Sequence, residues 1–183
     1  GEILNITMSI STLTSLDLRY NKFSDINILF DKLLINSSLT SLNLGKNSFR
    51  ENSGIVIAEL LEKNTTLTEL KVHYNNIGCD GCSKIVLALK NNTSITMLDI
   101  GRNLGHYQNG RDLGIAVAET LMVNTTLSTL LIIDNHLGQH GGSAIARALE
   151  FNTTLTSLNI NYNNINENGG NAIAKSLEKN TTL

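Results

Sequence analysis

One pattern recurs six times along the 183 residues, at a step close to 28. It consists of an apolar residue, further apolar residues at +3 and +5, asparagine at +8 and usually another apolar residue at +10. Leu39, Leu42, Leu44, Asn47 and Phe49 make one copy, and Leu67, Leu70, Val72, Asn75 and Ile77 make the next. The other copies begin at Leu13, Ile95, Leu127 and Leu155, and Leu183 opens a seventh. A unit this short cannot bury its own apolar face, so the copies must stack and share one core. The chain therefore reads as a single solenoid domain over 1–183. It holds six complete or near-complete units starting near 13, 39, 67, 95, 127 and 155, and reads as a piece of a longer array.

Within a unit the periodicity changes partway. Apolar residues at +3 and +5 alternate with polar ones, which predicts a short strand with one face turned inward. Asparagine at +8 falls where the chain leaves the strand, and stacked copies would form a ladder of side chains serving backbone groups. Further on, Ile145, Ala148 and Leu149 lie at i, i+3 and i+4, as do Ile85, Ala88 and Leu89, and Ile173, Ser176 and Leu177. That spacing predicts a helix with one face on the sheet. Gly54, Gly81, Gly114, Gly141, Gly142, Gly169 and Gly170 are expected in a tight connection ahead of the helix. The recurrent Asn-Thr-Thr-Leu, as in Asn64 to Leu67, is expected to end the helix with asparagine in the left-handed conformation. The expected fold is an α/β right-handed solenoid, with a parallel sheet on the concave face and helices on the convex face. Helices are wider than strands, so the stack should curve into a horseshoe.

The unit form L-x-x-L-x-L-x-x-N-x-I-G-x-x-G-x-x-x-I-A-x-A-L-x-x-N is clearest in Leu67 through Asn92 and Leu127 through Asn152. It resembles the ribonuclease-inhibitor-like class of leucine-rich repeats, and the resemblance extends from Leu13 to Leu183. It implies the horseshoe architecture and the binding of other proteins. Members of the class include an enzyme inhibitor, the sensing ends of nucleotide-binding innate immune receptors, activators of small GTPases and eukaryote-like effectors of intracellular bacteria. A fold alone does not choose among these. A GTPase activator of the Ran type would need a loop arginine or asparagine at the nucleotide, and none is assigned. A ligand-sensing end of a nucleotide-binding receptor would follow an upstream phosphate-binding domain.

Composition bounds the partners. With 14 basic and 16 acidic residues the net charge is −2, too small a field to point to nucleic acid or an anionic membrane. No apolar run approaches the ~18 residues of a membrane span. Two cysteines and no disulfide-rich cap fit a reducing, cytoplasmic compartment, including a host cytosol reached by delivery. Asn36, Asn64, Asn124, Asn152 and Asn180 each head an Asn-x-Thr/Ser triplet, which weighs against a secreted glycoprotein. The absence of proline and tryptophan, with abundant asparagine, suits an AT-rich genome of a protist or an intracellular bacterium. Neither end carries a polar cap, so end-to-end contact through the terminal repeats is expected.

Chemistry-bearing motifs are weak. Cys79 and Cys82 have redox spacing, but they align with Gln139 and Gly142 of another copy and lack the context of a thiol oxidoreductase. His136 and His140 are four apart but are expected in the loop before the helix, with no metal geometry. No catalytic residue, metal or cofactor is expected, only a protein partner. Strand positions +4, +6 and +7 point away from the core and vary while the core positions repeat. Among them Asp17, Arg19, Lys46, Lys71, His73 and Asp99 are expected to set charge complementarity. Tyr74, Leu131, Ile133 and Tyr162 are expected to supply buried area, with Tyr20 in the same column and Arg102 and Asp134 rimming the apolar spot. Repeat four is longer than its neighbours across 105–112, and Tyr107 and Arg111 there are expected on the binding face.

Overall fold

The computed structural model describes residues 12–105 and 108–183. Six strands, β1 Ser15–Asp17, β2 Ser41–Asn43, β3 Glu69–Lys71, β4 Met97–Asp99, β5 Thr129–Leu131 and β6 Ser157–Asn159, form one parallel sheet in chain order. Each strand is followed by a helix: α1 Asn27–Ile35, α2 Glu51–Lys63, α3 Gly78–Ala88, α4 Arg111–Leu121, α5 Gly138–Leu149 and α6 Asn166–Leu177. The pairing register follows the repeat, with Leu16 beside Leu42, Leu42 beside Leu70, and so on to Leu130 beside Leu158. The chain is an α/β repeat solenoid, as its periodicity predicts.

The apolar letters of the repeat are the core. Leu42, Leu44, Phe49, Leu70, Val72, Ile77, Leu98, Ile100 and Ile132 are fully buried, and the helix residues Ile85, Ile145 and Leu149, with Leu89 just past α3, close on them. The two end units are less enclosed. Leu16, Leu18 and Phe23 at one end, and Leu158 and Ile160 at the other, are only partly buried. Leu177 and Leu183 are exposed.

The asparagine ladder forms. Asn47 Nδ2 donates to the Leu18 carbonyl one unit back (3.0 Å) and to Leu44 (2.9 Å), while its Oδ1 accepts from the Asn21 and Phe23 amides. Asn135 and Asn163 repeat the arrangement further along the stack. Asn103 donates to Val72 and Ile100, yet its buried Oδ1 accepts nothing among the described residues.

A second ladder was not foreseen. The asparagines after the helices are not left-handed: Asn36 and Asn64 are extended, with ψ 127° and 128°. Instead Asn64, Asn92, Asn124 and Asn152 are buried and donate Nδ2 to the carbonyls of Leu33, Leu61, Leu89 and Leu121, one unit back. Their Oδ1 atoms accept from the amides two and three residues on, such as Thr66 and Leu67. Hydroxyls form a third ladder at +1, where Thr40, Thr68, Thr96, Ser128 and Thr156 each donate to the carbonyl of the residue before them in the stack.

The glycines also differ from expectation. Gly54, Gly81, Gly114, Gly141, Gly142, Gly169 and Gly170 lie inside helices, which start earlier than the apolar spacing implied. His140 accordingly lies in α5, not in the loop before it. The reason is close packing of neighbouring helices: a Cβ on Gly54 would stand 2.6 Å from Gly81 Cα, and one on Gly114 2.4 Å from Gly141 Cα. The glycines that turn the chain into its helix are Gly78 and Gly138, at φ +76° and +64°, a region in which only glycine is unstrained.

Candidate interaction surface

The concave surface is built where the strands end. Every residue at +7 is left-handed without being glycine: Tyr20, Lys46, Tyr74, Arg102, Asp134 and Tyr162 have φ between 54° and 61°. Inter-unit hydrogen bonds hold the column there, since Tyr20 N donates to Lys46 O, Lys46 N to His73 O, Tyr74 N to Gly101 O, and Arg102 N to Ile133 O. The strand periodicity carries no sign of this turn. A positive φ is written in sequence mainly by glycine or asparagine, and this column has neither.

Side chains along the column touch from unit to unit. Lys46 Nζ lies 4.7 Å from the Tyr20 ring centre and 5.3 Å from that of Tyr74. Arg102 lies 4.6 Å from the Tyr74 ring centre on the next unit. Lys46 also donates to Tyr20 Oη, and Arg102 Nη1 to Tyr74 Oη. Tyr20 and Tyr162 are well exposed, and Tyr74 is 45% exposed.

The charges expected to face a partner mostly face one another. Arg19 pairs with Asp17 at 2.8 Å, and hydrogen bonding from Arg19 holds the Asp17 carboxyl below its usual range. Lys71 pairs with Glu69, which also accepts from Ser41 Oγ, and the bond from Lys71 lowers the Glu69 carboxyl. Arg102 Nε lies 3.3 Å from Asp134. His73 Nδ1 stands 3.0 Å from Asp99 Oδ2, within ion-pair range but off the line a hydrogen bond needs. Lys46 has no carboxylate within ion-pair distance among the described residues.

Gly45 leaves room for the His73 ring, which a Cβ there would meet at 2.5 Å. His73, Tyr74, Asp99, Gly101, Arg102 and Ile133 together line a shallow depression of about 250 Å³. The geometry thus brings His73, Tyr74, Asp99, Arg102 and Ile133 into one place. Leu131 and Ile133 are half-buried, and Tyr162 stands two units from Arg102.

Tyr107 lies outside the described residues. The adjoining part of the repeat-four insertion packs on the fold. Gln108 Oε1 accepts from Cys79 N (3.1 Å) at the start of α3, Gly110 N donates to His136 O, and Arg111 opens α4. Cys82 is wholly buried, and burial pushes its thiol pKa up, away from the thiolate that redox work requires. Among the described residues no cluster of His, Cys, Asp and Glu could hold a metal, and no helix is long and apolar enough to cross a membrane.

A leucine-rich-repeat family model matches residues 9–26, 63–86 and 151–174. The human NACHT, LRR and PYD domains-containing protein 13 is 37% identical over 76 residues, 41% of this chain. The protein phosphatase 1 regulatory subunit 37 homolog of Caenorhabditis briggsae is 31% identical over 125 residues, 67% of this chain. The chain spans only 7% and 13% of the length of these two curated relatives. Among solved structures, the leucine-rich repeat-containing protein LegL7 from Legionella pneumophila has the same fold. Its TM-score is 0.64 at 23% identity, covering 98% of this chain and 57% of that one.

Proposed function

The chain is a leucine-rich-repeat protein of the ribonuclease-inhibitor-like type, and on that premise we propose that it is a protein-interaction module. Its docking surface is the concave sheet with the adjoining loops, and it performs no chemistry of its own. The column at +7 carries the proposal. A left-handed backbone costs an ordinary residue about 1–2 kcal/mol, and glycine would avoid it. The chain instead keeps three tyrosines, two cations and an aspartate there. The stacking lattice does not need those side chains, and strain held in place around exposed anchors is a mark of function. Tyrosine and arginine are also the residues that dominate protein interfaces.

The role is that of a docking part of a larger system. The phosphatase regulatory-subunit relative supports a regulatory part, and the asparagine-rich, proline-free composition supports delivery into a host cytosol as an effector. The 37% identity to a NACHT-domain protein favours a second reading, the sensing end of a longer receptor. Reading the flanking coding sequence separates them: an upstream phosphate-binding loop domain supports the receptor, and a secretion signal supports the effector.

Affinity capture from eukaryotic lysate tests the module itself. The wild-type chain is compared with Leu131→Asp/Ile133→Asp, shown by circular dichroism to remain folded. A partner held by the first and lost by the second is the expected result. A partner held equally by both would remove the concave sheet as the docking surface.

A further inference from the structure

The concave ridge is unevenly charged, and that unevenness narrows the partner. Across units two to four the +7 column reads Lys46, Tyr74, Arg102. Units two and four flank unit three in the stack, so Tyr74 carries a cation on each side. Glu69 is paired with Lys71 and Asp134 with Arg102, while Asp99, 3.0 Å from His73, accepts from the Gly101 amide. Lys46 has only tyrosines to compensate it. Arg102 has five N–H donors, and its Nε faces Asp134 while its Nη1 donates to Tyr74. Ring faces hold an exposed cation by about 0.5–1 kcal/mol, whereas a hydrogen bond to a charged group contributes about 1.5–3 kcal/mol. A carboxylate from outside would therefore win Lys46, and at Arg102 it would take the N–H donors that Asp134 and Tyr74 leave.

The depression beside Tyr74 adds a second requirement. At about 250 Å³ it falls below the roughly 300–1,000 Å³ of small-molecule pockets, so it suits one side chain of a partner better than a cofactor. Gly101 lines it without a side chain, and Ile133 adds an apolar one. Lys46 and Arg102 are two strand steps apart, about 10 Å at ~4.8 Å per step; in an extended chain residues i, i+2 and i+4 share a face and span about 13 Å at ~3.3 Å each, within reach of two long, flexible side chains.

We propose that this site binds an extended acidic segment of a protein partner. Two carboxylates four residues apart reach Lys46 and Arg102, and an apolar side chain midway between them, on the same face, enters the depression. The proposal rests on the concave-face reading above and specifies its partner.

Selection of a displayed library of random peptides on the wild-type chain tests it. The expected winners carry two acids four apart with an apolar residue midway between. Measured by fluorescence anisotropy, their affinity falls about tenfold in Lys46→Gln and in Arg102→Gln. Lys46→Arg keeps it, and Lys84→Gln, on helix α3 of the opposite wall, leaves it unchanged. Affinity also falls as ionic strength rises from ~0.1 M to ~1 M, where the screening length shrinks from about 10 Å to about 3 Å. Winners that are neutral or basic, yet lose binding in Ile133→Asp, overturn the acidic segment and leave the concave surface standing. Winners indifferent to Lys46→Gln and to Ile133→Asp overturn both. A library with no winners overturns a linear segment, while a lysate partner lost in Leu131→Asp/Ile133→Asp still upholds the docking surface.

Discussion

Tyr162 separates strain from function along the +7 column. It stands at φ 58° and is 75% exposed, so its side chain adds little to packing. Leaving the left-handed penalty recovers about 1–2 kcal/mol, and glycine's extra unfolded-chain entropy takes back about 0.5–1 kcal/mol. Tyr162→Gly should therefore stabilise the fold by about 0.5–1 kcal/mol, read as a higher urea midpoint at constant slope. An unchanged or lower midpoint would mean that the side chain contributes to the fold after all. The asparagines behave in the opposite way. Asn135 is fully buried and serves Ile100 O and Asn103 N, so Asn135→Ala strands two buried groups and should cost about 3 kcal/mol. Asn21 is exposed, and water can replace its bonds to Leu18 and Arg19, so Asn21→Ala should cost under ~1 kcal/mol. Equal losses at both positions would refute burial as the source of the ladder's strength. The ladder at Asn75 and its equivalents was legible because a polar residue recurring beside apolar ones must be satisfied locally. The ladder at Asn64 was legible only as a recurrence. Its residues looked like helix terminators, and sequence does not tell a left-handed cap from an extended residue whose amide reaches back one unit.

The helices make the same point with glycine. Periodicity located each helix but started it late, because glycines read as loop residues. They are in fact the places where adjacent helices touch. Gly114→Ala would put a Cβ 2.4 Å from Gly141 Cα, an atom of backbone that cannot swing aside. Pushing α4 from α5 should cost about 2 kcal/mol, within the range of overpacked cores. Gly170 is the control, since it lies within α6 and a Cβ there meets nothing within 4 Å. Gly170→Ala should stabilise by about 0.5–1 kcal/mol through helix propensity alone. Thermal unfolding of the pair checks both signs, and a stabilising Gly114→Ala would contradict the close approach of the two helices. The charged site residues were legible as a list, whereas their mutual pairing was not. Asp17 with Arg19, and Glu69 with Lys71, are two apart on one strand face, a spacing that sequence offers equally to a partner or to each other.

The three ladders make the stack depend on every unit's neighbour, and this constrains where the chain can fold. Asn64, Asn92, Asn124 and Asn152 each head an Asn-x-Thr/Ser triplet, and each is buried with its Nδ2 bonded to a carbonyl of the preceding unit. A glycan is attached at that nitrogen. It would place a bulky, hydrated group in the layer between two units, and unpaired carbonyls buried there cost about 1–3 kcal/mol apiece. Four such lesions sum to about 4–12 kcal/mol, comparable to the 5–15 kcal/mol that stabilises an ordinary domain even before the bulk of the sugar is counted. The chain led into a eukaryotic secretory pathway by an added signal peptide should therefore be glycosylated while unfolded, then retained and degraded. Asn180 heads the same triplet and donates Nδ2 to Leu149 O and Asn152 O. Removing the acceptors through Thr66→Ala, Ser94→Ala, Thr126→Ala, Thr154→Ala and Thr182→Ala leaves the asparagines to build their ladder. These changes give up only the hydroxyl contacts, such as those of Thr66 with Asn36 O and Asn64 Oδ1. The substituted chain should be secreted folded, as judged by circular dichroism of the medium fraction, while the parent chain stays inside cells and shifts in size on glycosidase treatment. A parent chain secreted in folded form with sugars on Asn92 and Asn124 would show that the stack does not need those side chains between its units.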